Sequence, residues 1–338
     1  MARTERAHAQ RGRKLMMKKS VLTAVACLML ATPGSAQTMR MIQSWNETNV
    51  MAYMPALEFK RNLEETGSGI ELEIFGTETV PAYEQLTPTQ DGVFDFIYTY
   101  PTYHSKALNI ATSAMAPDME KIRSSGVFGF MDTYFQKEHN LKLLASVAVG
   151  TSGIHCYLRS PLSENSDWAG RKIRGVSNYV PVIEALGGAA VSTDMGELYS
   201  SLERGVVDGA CAPQSVFRAT RHFEVAKFRT EPTFGQMVSY IAMNLDAWNG
   251  LSDEVKAKVE EAAIRTEADT IRIGNEAAEG ELKALAEAGV EVTRFSDAAY
   301  EKVSKAYAEG VWKVVADCCG QDNSDALRKL AVDAGLSD

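Results

Sequence analysis

The 338-residue chain lacks every long apolar run: no stretch reaches the roughly 20 residues that a transmembrane helix needs. Proline and glycine are too scarce for a collagen, and at 45% hydrophobic and 23% charged the composition is that of a globular protein and argues against a disordered chain or a coiled-coil rod. The common catalytic signatures are missing too. There is no G-x-S-x-G elbow, no G-x-x-x-x-G-K-[ST] phosphate loop, no G-x-G-x-x-G and no H-E-x-x-H. His104, His139, His155 and His222 stand singly, and no CxxC or Cys/His cluster occurs, so neither a metal centre nor a resident cofactor is expected. Basic residues are also short, at 35 Lys+Arg against 44 Asp+Glu. Nucleic acid, whose phosphates demand a basic face, is excluded as a partner.

What basic charge there is concentrates at the start, where the first 36 residues hold seven basic side chains and one acid. Lys18 and Lys19 precede an apolar run from Val21 to Ala31, followed by Thr32-Pro33-Gly34 and the small pair Ser35-Ala36. This reads as a cleaved secretory signal peptide, with Met17 a candidate start. Ala24 and the continuing Leu28-Met29-Leu30 argue against a lipid at Cys27. Removal of the leader takes the net charge from −9 to −15 and leaves a chain with no membrane-inserting segment. Cys156, Cys211 and the adjacent Cys318-Cys319 remain, in a compartment that permits disulfides but leaves their pairing open.

The length suggests two domains, and the patterning is α/β from the outset. Thr38–Ser44 reads as a strand, Asn49–Thr66 as a helix whose regular part starts at Pro55, and Ile70–Phe75 as a second strand. A strand-helix-Gly-strand unit occurs twice. Leu72–Phe75 leads to Gly92-Val93-Phe94-Asp95, and Ala189–Ser192 leads to Gly205-Val206-Val207-Asp208; both second strands open on Val-x-Asp. Such duplication predicts two lobes of one design. From Ser252 a helix is expected as far as Ala288, with Gly274 and Gly280 as places where it would kink or break. Helices over Asp297–Trp312 and Asp322–Ala334 would form a C-terminal layer. The division expected is residues 1–36 as signal peptide, 37–155 mainly first lobe, 156–245 mainly second lobe, and 246–338 as spine and C-terminal helices across both.

Chemistry concentrates in Trp168-Ala169-Gly170-Arg171-Lys172-Ile173-Arg174-Gly175. Arg171 and Lys172 read as solvated turn residues. Arg174, at the end of a short strand, either points into an interlobe cleft, where its guanidinium offers two donors to a carboxylate, or pairs with a local acid.

This segment, with Ala185-Leu186-Gly187-Gly188-Ala189 and Glu197–Gly209, resembles the solute-binding proteins of tripartite ATP-independent periplasmic (TRAP) transporters. Asn244-Leu245-Asp246-Ala247-Trp248-Asn249-Gly250-Leu251 is similar to that family's segment before its spine helix. The resemblance implies a two-lobed periplasmic binding protein fold with a long spine helix and a helical C-terminal layer, no enzymatic activity, a small organic acid as ligand and a TRAP membrane permease as partner. It places Arg174 in a salt bridge with the ligand carboxylate. Tyr98, Tyr100 and Tyr103 resemble the cleft-lining segment of the first lobe, with Trp45 and Asn46 beside them, and Gln214 and Asn244 would supply amide contacts. His155 stands beside Ile154, where sialic-acid-binding members carry a second Arg. Cys211-Ala212-Pro213 replaces the family's frequent Glu-Asn-Pro, which speaks against a sugar-acid ligand and a bound cation. Two other uses of the fold stay open: a secreted enzyme, which needs an acid/base pair in the cleft, and the ligand-presenting subunit of a sensor.

Overall fold

A computed structural model of the chain describes residues 37–337, apart from 105–106, 109, 111–114 and the side chains of Gln214 and Ser215. The expected signal peptide and Cys27 lie outside the described residues.

The chain begins with β1 (Gln37–Gln43), α1 (Val50–Glu65), β2 (Ile70–Phe75), α2 (Leu86–Gln90), β3 (Phe96–Thr99), α3 (Met119–Ser124), α4 (Val127–His139) and β4 (Leu141–Ala148). It continues through β5 (His155–Leu158), β6 (Lys172–Arg174), α5 (Val180–Ala185), β7 (Ala189–Val191), α6 (Met195–Glu203), β8 (Gly209–Ala212), α7 (Gln214–Ala219) and β9 (Phe228–Glu231). Last come β10 (Val238–Asn244), α8 (Leu245–Asn249), α9 (Asp253–Glu287), β11 (Glu291–Arg294), α10 (Asp297–Cys319) and α11 (Gln321–Asp333).

Two sheets result, ordered β2-β1-β3-β10-β4 and β11-β9-β5-β8-β6-β7. Within each lies a parallel triplet, β2-β1-β3 and β7-β6-β8, and these contain the duplicated sequence unit. The repeated Val-x-Asp has a structural cause. Asp95 carboxylate accepts from the Arg40 backbone N–H at 2.7 Å while its own N–H donates to Arg40 O at 2.8 Å. Asp208 treats Lys172 in the same way, at 2.8 and 2.7 Å. In each lobe one aspartate thus starts the third strand and fixes its register on the central strand.

The lobes are joined by three passages. Residues 149–154 carry the chain from β4 to β5, residues 232–237 return it from β9 to β10, and α9 runs between β10 and β11. Ile154 and Phe234 bridge the first two by paired backbone bonds of 2.8 and 3.1 Å. Helix α9, about 52 Å long at 1.5 Å per residue, is capped by Ser252, whose hydroxyl accepts from Val255 N–H at 3.3 Å. It packs on α1 and β4 of the first lobe and on α7 of the second, and neither Gly274 nor Gly280 interrupts it. Its buried Glu267 takes Arg123 and the Ser146 N–H. Helix α10 packs on α5 and α11, and α11 on α4, so the C-terminal layer also touches both lobes.

Two details differ from the sequence reading, and the cysteine pairing it left open is settled. Helix α1 starts at Val50, one turn and more before Pro55, which sits inside it. Helix α10 runs on to Cys319, seven residues past the expected Trp312, because Val315 and Cys319 continue its buried stripe. Cys156 is bonded to Cys211, directly opposite on β5 and β8, and Cys318 to Cys319. Among the described residues no helix is long and apolar enough to cross a membrane, and no group of three or more His, Cys, Asp or Glu could hold a metal ion.

Candidate functional site

In each lobe the chain order reverses across the central strand, and in open α/β sheets ligands gather where the carboxyl ends of strands diverge at such a switch point. Trp45 follows β1 and Tyr100 follows β3 on one side; Arg174 ends β6 and Pro213 follows β8 on the other. These ends face one another across a small cavity of about 20 Å³ bordered by Trp45, Asn49, Tyr100, Tyr103, Arg174 and Tyr179. It adjoins a wider cleft of about 310 Å³, which shares Trp45, Asn49, Tyr103 and Met195 and adds Asn46, Tyr83 and Asp194. On the inner side an apolar recess shares Pro213, Val216 and Met237.

Arg174 is placed by strand alternation: Ile173 enters the core, so its neighbour points to the other face. The side chain is buried, at 2% exposure, and Nε donates to Thr193 O at 3.1 Å. No carboxylate lies within ion-pair distance of it among the described residues, which removes the local-acid alternative. A buried guanidinium without a counter-charge is costly unless an anion reaches it.

The tyrosines around it are neutral donors. Desolvation holds the Tyr103 hydroxyl, and that of the more exposed Tyr83 at the cleft, above their ordinary pKa, against the opposing pull of the charged Arg174, which also hydrogen-bonds Tyr83. Tyr83 and Tyr103 rings lie 4.8 Å apart, and Tyr100 meets Tyr103 edge-on at 5.7 Å. Tyr100 also ties the lobes: its hydroxyl accepts from Asn178 Nδ2 at 2.9 Å and lies 3.4 Å from the Tyr179 hydroxyl. His222 adds no second cation, since burial, with help from Arg174, pushes its imidazole down to about 4.

The remaining expected residues divide. Trp45 borders the cavity and packs on Tyr98 at 4.8 Å. Tyr98 itself borders the apolar recess, with its hydroxyl on Ser239. Asn46 is exposed at the wider cleft, where it accepts from Thr48. Two expectations are corrected. Asn244 is no ligand amide: its Oδ1 caps α8 on Ala247 N–H at 2.9 Å, and its Nδ2 donates to Thr89 O and Gln90 O, both at 3.0 Å. His155 is likewise committed elsewhere, donating from Nδ1 to Thr230 O at 2.8 Å beside the Arg229 guanidinium, and it does not border the cavity. Gln214 opens α7, but its side chain lies outside the described residues.

Sequence reasoning missed Asn49, a buried side chain at both the cavity and the cleft whose Oδ1 has no hydrogen-bond partner. It also missed Tyr83, Tyr179 and Met237. Asn49 read as a helix start, which it is; Met237 lies in a return passage that carries no motif.

The family model of bacterial extracellular solute-binding proteins, family 7, matches residues 44–317. A solute-binding protein of Chromohalobacter salexigens is 26% identical over 162 residues, 47% of this chain and 48% of that protein, so the match spans about half of that relative's length. The ectoine/5-hydroxyectoine-binding periplasmic protein UehA of Ruegeria pomeroyi is 24% identical over 328 residues, 93% of this chain and 95% of that one. A solved TRAP transporter solute-binding protein from Bordetella bronchiseptica has the same fold, with a TM-score of 0.78 at 18% identity, covering 89% of this chain and 94% of its own.

Proposed function

Because the chain belongs to the bacterial extracellular solute-binding proteins of family 7, we propose that it captures a small organic anion outside the cytoplasm and hands it to a TRAP-type membrane permease. The observation that carries this reading is Arg174, buried and without a protein carboxylate, at the meeting of the two lobes. In this reading the ligand carboxylate takes the guanidinium by two parallel bonds, and Tyr83 and Tyr103, held protonated, donate to the same anion. Trp45, Tyr100 and Asn49 close the remaining sides, with Tyr98 behind Trp45 and Asn46 at the mouth. The leader before Gln37 directs export to the periplasm. Residues 37–155 and 156–245 supply most of the two lobes, with β10 returned to the first.

The site favours binding over catalysis. Arg174 is a permanent cation, and tyrosines whose pKa is raised by burial are poor bases at neutral pH. Asp194, the acid at the outer cleft, has no basic partner there among the described lining residues.

The test is calorimetry on wild type, Arg174→Ala and Arg174→Lys, using the tightest acid from a thermal-shift panel of mono-, di- and sugar carboxylates. Truncating one member of a buried ion pair costs about 2–5 kcal/mol, so Arg174→Ala should weaken binding at least roughly thirtyfold. Arg174→Lys should not restore it, because an ammonium is a point donor. Unchanged affinity in Arg174→Ala would mean that the anion is held elsewhere.

A further inference from the structure

The surroundings of Arg174 differ in its two open directions, and neither suits a second anionic group. Outward, the wider cleft brings Asp194 to its lining. Inward, the recess is bordered by Met51, Val147, Val149, Val216 and Met237, with Ser239 and Ser152 as its small polar groups. Among the described residues lining all three spaces, Arg174 is the one cation and Asp194 the one anion. His222, whose imidazole is held neutral at pH 7, does not alter that balance.

From this lining we infer that the ligand is a monocarboxylate with an apolar body, its carboxylate on Arg174 and its hydrocarbon in the recess lined by Met51 and Met237. The inference rests on the reading of Arg174 as the carboxylate anchor. A second carboxylate placed inward would lose its hydration with no counter-charge, and one placed outward would meet Asp194. A polyhydroxylated sugar acid directed inward would bring a ring of hydroxyls against methionine and valine side chains, with Ser152 and Ser239 as the small polar groups to meet them. An unbranched or branched hydrocarbon suits those walls, and methionine side chains adapt to irregular apolar shapes.

The experiment is calorimetry of the mature wild-type chain with acetate, butanoate, hexanoate and 4-methylpentanoate, against succinate and glucuronate. Affinity should rise about fourfold for each methylene until the recess is filled, and 4-methylpentanoate should bind at least roughly a hundredfold more tightly than succinate. Met51→Ser should flatten the chain-length dependence, and Met237→Ser gives the same reading should Met51→Ser fold poorly; a dependence unchanged in both would place the hydrocarbon outside the recess. Tighter binding of succinate or glucuronate, abolished by Arg174→Ala, would overturn the inference and leave the anchor standing. Binding of any of these acids that survives Arg174→Ala would instead overturn the anchor.

Discussion

Arg174 and Asn244 show how far a single residue type reveals its own use. Both were picked from motifs, and both are buried polar side chains, at 2% and 3% exposure. What separates them is their partners. Asn244 satisfies its amide completely on Ala247, Thr89 and Gln90, whereas Arg174 meets Thr193 O and the Tyr83 hydroxyl but no carboxylate. A linear sequence does not state those partners, because Thr89 and Gln90 lie more than 150 residues from Asn244. Arg171, expected to be a free turn residue, also proves committed: its guanidinium donates to the Ser160 and Pro161 carbonyls and pins the loop before β6. Asn244→Ala should therefore cost about 1–2 kcal/mol of stability through the lost cap and leave ligand affinity unchanged. Urea unfolding and calorimetry on the same variant check both halves; weakened binding at unaltered stability would return Asn244 to the site.

At the level of elements, the sequence was most legible where local chemistry repeats. The two Val-x-Asp entries were visible as a pattern, and their bonds to Arg40 and Lys172 explain why an aspartate stands at both places. The spine helix was legible from Ser252 to Ala288 because a cap, an acidic first turn and a run free of Gly and Pro as far as Gly274 agree. A heptad of Ala257, Ile264, Ile271, Ala278 and Leu285 would nonetheless misplace its buried face, which is built on Val259, Ala262, Ala263, Thr266 and Thr270. Its glycines were not legible, since the reason for Gly274 lies in another segment. A Cβ at Gly274 would collide with the backbone of Val149 and Gly150, and the same passage is held by Thr151 N–H donating to Asn275 Oδ1 at 2.8 Å. A Cβ at Gly280 would meet nothing within 4 Å. The same substitution should therefore act in opposite directions. Gly274→Ala should destabilise the protein by roughly 1–3 kcal/mol through overpacking against the passage. Gly280→Ala should stabilise it by roughly 0.5–1 kcal/mol, the ordinary gain of alanine in an exposed helix interior. Denaturant midpoints measured side by side decide this, and a neutral Gly274→Ala would mean that the passage is not held by the helix.

For the molecule as a whole, the duplicated unit announced two lobes, but nothing in it said that β10 inserts between β3 and β4 or how closely the lobes approach. That approach is set by contacts among Tyr100, Asn178 and Tyr179, brought together from segments nearly 80 residues apart. They hold the lobes together around a space of about 20 Å³ beside Arg174, which adjoins the wider cleft of about 310 Å³. In the proposed reading, a ligand that bridges Arg174 and the first-lobe aromatics stabilises the closed form, because that form alone lets one molecule touch both. Small-angle scattering of the mature chain should show a smaller radius of gyration with the tightest-binding acid at saturation than without it. Asn178→Ala removes a bond that favours closure, so its ligand-free radius should exceed that of wild type. Its affinity should fall by roughly fivefold to tenfold, the effect of one hydrogen bond worth about 1 kcal/mol. Equal radii with and without ligand, together with unaltered affinity in Asn178→Ala, would show that the lobes do not close on the ligand and that Arg174 binds it in a rigid pocket.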